Sequence, residues 1–335
     1  MDLERTEYKD LIDEIGILLS EGRERASQFV NNILVKTYWL IGRHIVEFEQ
    51  GGNEKADYGS FLFEQLSKDL TRLYGRGFSR ANLLYMRKMY LMFPKGETLS
   101  NVLGWSHYFE VLRSDNELEI RFYVKQCEKE KWSVRELKRQ MKSMLFHRLA
   151  LSKDKKGVLE LAEKGQEIQE AEDIFRDPCV LEFLNIPENQ KCLEVELEEK
   201  LISNLQKFLL ELGKGFTFEK RQYRISIGGK HFYVDLVFYH RILRCFVLID
   251  LKRGEVTHQD IGQMNLYLNY FKKEINTEGD NQLIGLVLGA EKDRVLVEYA
   301  LESVSNQLFV SKYQLYLPDR NQLEKELNRL LEENG

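Results

Sequence analysis

Two periods of hydrophobic spacing divide this chain. Up to about residue 213, apolar positions recur every three or four residues, the mark of helices with one buried face. FLFEQLSKDLTRLY and SRANLLYMRKMYLMF are two such helices, joined by the glycine-bearing turn GRGF, with Ser79 placed to cap the second. WSVRELKRQMKSMLFHR is a further basic helix, opened by Ser133 and Glu136 as a capping box. LEEKLISNLQKFLLELG is amphipathic and stops at Gly213. Strands follow. Gly228-Gly229 is a hairpin signal between a strand at roughly Gln222 to Ile227 and one at His231 to Tyr239. CFVLIDL is apolar on both faces, hence central in its sheet. QLIGLVLG and LFVSKYQLYL read as two more strands around the helix KDRVLVEYALESV, and a charged helix runs from about Asp319. The pattern predicts a helical domain over 1–150 and a junction over 151–192. The junction is charge-rich and broken by Pro178 and Pro187. The remainder, 193–335, reads as an α/β domain with a mixed sheet flanked by helices.

Burying a charge is costly unless it is paired or binds a metal. Asp235 nevertheless interrupts an apolar strand, and Asp250 and Lys252 end the next one. Side chains alternate across a strand, so Asp250 and Lys252 share a face, about 7 Å apart at Cα. If the strands pair, Asp235 and Asp250 converge on one divalent ion. Metal-assisted phosphodiester cleavage explains these residue types. Mg²⁺, with Mn²⁺ as substitute, prefers hard oxygen ligands and keeps several waters. Asp235, Asp250 and the backbone carbonyl of Leu251 would hold it, leaving room for phosphate and the attacking water. Lys252 would orient that water or offset developing negative charge. Gln263 and Tyr267, one turn apart, share a helix face, and ordinary helix packing is the competing reading of both. Glu198 lies on the apolar stripe of Ile202, Leu205, Leu209 and Leu212, which makes it the candidate helix acid ahead of Glu196 and Glu199. His240 and His258 read as loop histidines near substrate rather than ligands, because no second His or Cys falls at ligand spacing. Singly, a strand-end D-x-K is usually a surface ion pair and a strand Asp an edge device. The ordered set points to a nuclease site.

This order resembles the PD-(D/E)XK nucleases, with Val234-Asp235 in the place of the first pair and Asp250-Leu251-Lys252 as the second motif. Gln263-Met264-Asn265-Leu266-Tyr267 looks like the QxxxY motif of several branches. The resemblance implies that Gln263 helps hold the metal, water and phosphate, with Tyr267 in support. LELGKGFTFEKRQYRI, DLVFYHRILRCFVLIDLKRG, GQMNLYLNYF and the helical VNNILVKTYWLIGRHIVEFEQ are similar to the YhcG family. That family joins an α-helical N-terminal domain to a restriction-endonuclease-like α/β domain. The resemblance runs from about Tyr8 to Leu331 and is weakest at 151–173. The family usually carries Glu where this chain has Asp250, one methylene shorter.

Charge adds a targeting surface. The net charge is −5, but residues 1–150 are net +2 and the remainder net −7. Residues 67–95 hold Lys68, Arg72, Arg76, Arg80, Arg87, Lys88 and Lys95 against Asp69 alone. Read as a helix-turn-helix, this segment places Arg80, Asn82 and Arg87 near a groove and Arg72 and Arg76 on phosphates. An ordinary helical hairpin with a solvated charged face is the alternative. Tyr38, Trp39, Trp105 and Trp132 are expected in the core. The helix from Ser133 could extend the DNA surface or make a dimer contact. No run approaches the roughly 20 apolar residues needed to cross a bilayer. The polar, acidic start is no signal peptide. Cys127, Cys179, Cys192 and Cys245 fit reduced thiols in a cytoplasm. The expected activity is a Mg²⁺-dependent DNA endonuclease, with DNA ahead of RNA and a homodimer compatible. The alternative is a non-catalytic DNA- or protein-binding module that keeps the fold.

Overall fold

The computed structural model describes residues 2–51, 56–96, 99–151, 153–174, 176, 178–186, 193–291 and 307–333. Pro187, Cys192 and the expected helix KDRVLVEYALESV lie outside them. The chain forms two units, one of residues 1–139 with 162–165, the other of 140–161 with 166–335. This division departs from the sequence reading, because residues 140–161 and most of the expected junction belong to the second unit.

The first unit is helical. It contains α1 (Asp2–Gly51), α2 (Ala56–Tyr74), α3 (Arg80–Met92), α4 (Trp105–Val111) and α5 (Glu117–Glu130). Near its end α6 (Val134–Lys142) begins. Gly42 lets α1 and α3 approach closely, since a Cβ there would overlap the Met86 carbonyl. Ile45, Phe63, Leu83 and Met86 form the core between them, with Tyr38 and Trp105 packed against it. These two rings meet edge-on at 4.9 Å, and Trp39 donates its ring N–H to the Phe93 carbonyl at 2.8 Å. Ser79 caps α3 by accepting from the Asn82 N–H at 3.3 Å. Ser133 and Glu136 exchange the two hydrogen bonds of a capping box.

The helix expected to continue through His147 and Arg148 is broken. α6 stops at Lys142, Met144 takes a left-handed φ of 55°, and α7 (Leu145–Ala150) starts in a new direction with every residue buried. Its Arg148 is therefore no part of a nucleic-acid surface. The reason is a partner in the sheet unit: Arg148 Nη1 lies 2.7 Å from Glu211 Oε1, and both side chains are fully buried.

The second unit continues with α8 (Lys155–Lys164), β1 (Cys179–Val180), α9 (Glu194–Ser203), α10 (Leu205–Leu212), β2 (Phe216–Ile227), β3 (Lys230–His240) and β4 (Cys245–Glu255). It ends with α11 (His258–Glu274), β5 (Ile284–Glu291), β6 (Gln307–Gln314) and α12 (Arg320–Glu333). The sheet order is β1-β6-β5-β4-β3-β2. β2, β3 and β4 pair antiparallel, and β4, β5, β6 and β1 pair parallel. The mixed sheet and the central position of CFVLIDL agree with the sequence pattern. β1 was not foreseen, because two residues carry no period. The helix expected as one piece from 197 to 213 is two, since Asn204 leaves helical geometry and donates its side-chain amide to Lys200 O at 3.0 Å.

Two cores flank the sheet. Leu197, Leu201, Phe208 and Leu212 pack on Leu236, Phe238, Val247 and Ile249. Ile261, Met264, Tyr267 and Phe271 cover Val237, Leu248 and Val287 on the other face. Cys127, Cys179 and Cys245 are buried free thiols. Among the described residues no helix is long and apolar enough to cross a membrane.

Glu211 also accepts from the Val180 N–H at 2.8 Å and lies 3.6 Å from Arg176. It thus ties α7, α10 and β1 together. Removing one partner of a buried ion pair costs about 3–5 kcal/mol, because the other charge stays buried. Glu211→Ala is expected to lose stability on that scale in urea unfolding followed by circular dichroism. Glu211→Gln, which keeps an acceptor for Val180, is expected to lose less.

Candidate active site

The site forms where β3 and β4 part. Their register ends at Leu236 opposite Ile249. Asp235 and Asp250 come next on the two strands, close enough that the Asp235 charge acts on the Asp250 carboxyl. There the backbone ladder gives way to a side chain: Asp235 Oδ2 accepts the Leu251 N–H at 2.8 Å. This bond satisfies a buried amide and fixes the Asp235 carboxylate at the open end of β4.

Gln222 holds the helix acid to this pair. Its side-chain amide donates to Glu198 Oε2 at 2.6 Å and to Asp235 Oδ1 at 3.0 Å. Its backbone lies at φ 48°, in the left-handed region inside a strand. Such a conformation costs about 1–3 kcal/mol for a residue other than glycine and persists only where its surroundings impose it. Arg221 Nε lies 3.2 Å from Glu198 Oε1. One turn earlier on α9, Glu194 accepts the Arg253 N–H at 3.1 Å and clamps the helix start to β4.

Lys252 closes the other side. Its Nζ is 2.8 Å from Asp250 Oδ2 and 3.6 Å from Asp260 Oδ1. Asp260 is held by the Thr257 capping box at the start of α11. On that helix Gln263 hydrogen-bonds Tyr267, whose ring is fully buried behind the site. The structure therefore gathers Glu198, Asp235, Asp250 and Lys252, and sets Gln263 on the adjoining helix with Tyr267 as its partner.

Electrostatics follow from burial. Asp250 is 3% exposed. Desolvation, then the Asp235 charge, push its carboxyl up to about 7 against the pull of Lys252. Asp235 is raised by burial, partly offset by the Leu251 and Gln222 hydrogen bonds. Glu198 is raised by burial, against Gln222 and Arg221. Burial lowers Lys252, but the charge and hydrogen bond of Asp250, with Asp260 and Glu194, more than offset it and keep the ammonium protonated. Tyr267 is pushed up to about 12 by burial and by Asp250.

No three His, Cys, Asp or Glu side chains among the described residues form a ready-made metal cage. The donor set still suits a hard cation. Asp250 Oδ2 and Glu198 Oε1 are buried acceptors that face the ion-pair partners Lys252 and Arg221. Buried acceptor-only oxygens are what Mg²⁺ takes as ligands, with water filling the remaining positions.

Other sequence candidates fall elsewhere. His240 is no loop histidine. It is fully buried, its Nε2 meets Lys214 O at 2.9 Å, and its Nδ1 accepts the Leu243 N–H at 3.1 Å. Burial lowers its pKa, and it locks the β3–β4 turn. His258 is exposed at the start of α11. In the basic segment, Arg87 pairs with Glu49 at 2.6 Å and Arg72 with Asp69 at 3.3 Å. Asn82 donates to Gly77 O at 2.9 Å, holding the turn before α3. Arg76 and Arg80 are exposed. Sequence reasoning missed Gln222, Glu194 and Asp260. Asp260 was detectable as the last residue of the cap Thr257-His-Gln-Asp260, and Glu194 as one helical turn from Glu198. Gln222 had no signal, because its role rests on an irregular backbone.

Comparison with known proteins matches residues 172–328 to the YhcG PDDEXK nuclease domain and residues 14–148 to the DUF1016 N-terminal domain. The chain is 38% identical to the "Putative nuclease YhcG" of Escherichia coli (strain K12), over 96% of this chain and 94% of that one. Two solved structures show partial likeness. A repair endonuclease from Pyrococcus abyssi is 20% identical with a TM-score of 0.27, covering 40% of this chain. The EndoMS–dsDNA complex is 19% identical with a TM-score of 0.28, again over 40% of this chain. The chain spans half the length of each of these two.

The raised Asp250 has a signed consequence. Between the ordinary value of 3.8 and about 7 the folded state holds a proton that the unfolded chain has released. Stability from this group is therefore lost as pH rises through that window. In metal-free buffer, the unfolding midpoint of Asp250→Asn relative to the unsubstituted chain should rise from pH 4 to pH 7. The expected gain is on the order of 5 °C, about 2 kcal/mol for a domain of this size. A difference that stays flat across the window would show that Asp250 ionises without strain.

Proposed function

The chain belongs to the YhcG family, and on that premise we propose that it is a metal-dependent endonuclease hydrolysing phosphodiester bonds in DNA. The observation that carries this is the Asp235–Asp250 pair at the parted ends of β3 and β4, with Lys252 2.8 Å from Asp250. A structural ion pair would need one acid for one lysine. Here the raised carboxyls of Asp235 and Asp250 share Lys252 with Asp260, while the third raised carboxyl, Glu198, has Arg221, an arrangement that a divalent cation would relieve.

Asp235, Asp250 and the Leu251 carbonyl would hold Mg²⁺ or Mn²⁺, with Glu198 beside them. When bound, such an ion acidifies a water and stabilises charge on phosphorus. The protein supplies the rest. Gln222 and the Leu251 N–H fix the direction of Asp235. Lys252, kept protonated by Asp250 and Asp260, offers an N–H to the attacking water or to a non-bridging oxygen as charge develops. Tyr267 backs Asp250 and keeps that side of the site dry, while Gln263 holds the Tyr267 hydroxyl in place. Cutting both strands of a duplex in one encounter would call for two copies.

Cleavage of supercoiled DNA with Mg²⁺ or Mn²⁺ tests this reading, with single-stranded DNA and RNA as parallel substrates. Asp235→Ala and Asp250→Ala are each expected to lower the rate at least 100-fold while the far-ultraviolet spectrum stays native. Wild-type cleavage by either variant would move the chemistry elsewhere. No cleavage and no divalent-metal affinity in the unsubstituted chain would favour a binding module that keeps the nuclease fold.

Arg76 and Arg80 are the exposed cations proposed to meet phosphate. Losing a phosphate contact lowers the log–log salt slope of duplex binding by about 0.9. The double variant Arg76→Ala/Arg80→Ala should therefore bind more weakly and with a slope shallower by about 1.8, at unchanged turnover on saturating DNA. An unaltered slope would leave this face to another partner.

A further inference from the structure

Residues 11–30 of α1 pack against no other element in the single chain. Every side chain from Leu11 to Val30 is exposed. Eleven large apolar side chains between Tyr8 and Leu34 stand 40–68% exposed. Helices in proteins gain most of their stability from a packed face, and this stretch has none in the single chain. A contiguous apolar surface on this scale marks an interaction site.

The spacing states what kind of partner fits. Tyr8, Ile12, Ile15, Leu19, Gly22, Ala26, Phe29 and Ile33 recur at intervals of four and three. That is the seam of a left-handed coiled coil, and it spans roughly 38 Å. The residue sizes state its direction. If each residue met its own copy in a parallel pair, Gly22 would face Gly22 and Ala26 would face Ala26, leaving a hole mid-seam. Antiparallel pairing about a two-fold axis between residues 20 and 21 sets Leu19 against Gly22 and Ile15 against Ala26. It also sets Ile12 against Phe29 and Tyr8 against Ile33. Each small residue then meets a large one, as close packing requires.

Gly22 gives independent support. A Cβ added there meets nothing within 4 Å in the single chain. Glycine weakens a helix interior, and the chain itself gives no reason for it at this position. The Leu19 side chain of a second copy does.

We propose that two copies of this chain associate through an antiparallel coiled coil of the α1 segment Tyr8–Ile33. Its faces bury surface on the order of the roughly 800 Å² per partner typical of stable complexes. The pairing carries two catalytic units on one particle and is independent of the nuclease reading.

Sedimentation of the full-length chain is expected to give a dimer. Ile15→Asp/Leu19→Asp and, separately, Gly22→Leu should each raise the dissociation constant at least 100-fold. Gly22→Leu is the stronger test, because leucine favours helix and only crowding at the seam can weaken the dimer. Direction is read by disulfide formation in a Cys192→Ser background. Ile15→Cys mixed with Ala26→Cys should cross-link, and neither should cross-link alone. A monomer, a trimer or higher oligomer, or cross-linking within the unmixed samples overturns the proposal.

Discussion

The hydrogen bond from the Leu251 N–H to the Asp235 carboxylate is the constraint on which the site depends. It replaces a strand-to-strand bond with a side chain at the point where β3 and β4 separate. The two strands can therefore part without orphaning a buried amide. Two carboxylates lie at this parting, Asp250 buried and Asp235 half-buried. A like-charged pair in a desolvated cleft is unfavourable unless a cation joins it. Lys252 supplies one charge for Asp235 and Asp250, and Arg221 supplies one for Glu198.

The surroundings are arranged to keep that strain in place. Gln222 accepts a left-handed backbone to reach both Glu198 and Asp235. Glu194 pins the start of α9 to β4, and the Thr257 cap holds Asp260 near Lys252. Away from the site, the buried Arg148–Glu211 pair joins three elements at the far side of the same helix layer. Glu211 has two buried arginine partners, Arg148 and Arg176, whereas Asp235 and Asp250 share Lys252. The contrast separates a structural use of buried charge from a functional one.

The sequence carried most of this architecture. Alternation placed Asp250 and Lys252 on one face, and double-sided hydrophobicity made CFVLIDL central, because both signals depend only on residues within one strand. Glu198 was legible for the same reason, as a carboxylate on an apolar stripe. The missed features depend on partners distant in sequence. Gln222 reads as an ordinary polar strand residue until β3 lies beside it. Arg148 reads as surface charge until Glu211, 63 residues later, is packed against it. His240 reads as a loop residue although it closes the turn that the loop makes. The break at Asn204 was hidden because the apolar stripe continues in phase across it.

Charge and geometry together explain why one chain would join these two units. The unit that carries the candidate chemistry is net −5, so the proposed polyanionic substrate gains nothing from its mean field. Screening confines that repulsion to about 8 Å at physiological salt, but an encounter still has to cross it. The exposed cations proposed to meet phosphate, Arg76 and Arg80, belong to the other unit. Fixing them on a packed helical unit, rather than on a mobile tail, avoids the entropy of ordering them at each encounter. Capture and cleavage then make opposite demands on charge. On the proposed reading two units meet both demands, because the acids lie in a unit of net charge −5 and the exposed cations in one of net charge zero, each with its own core.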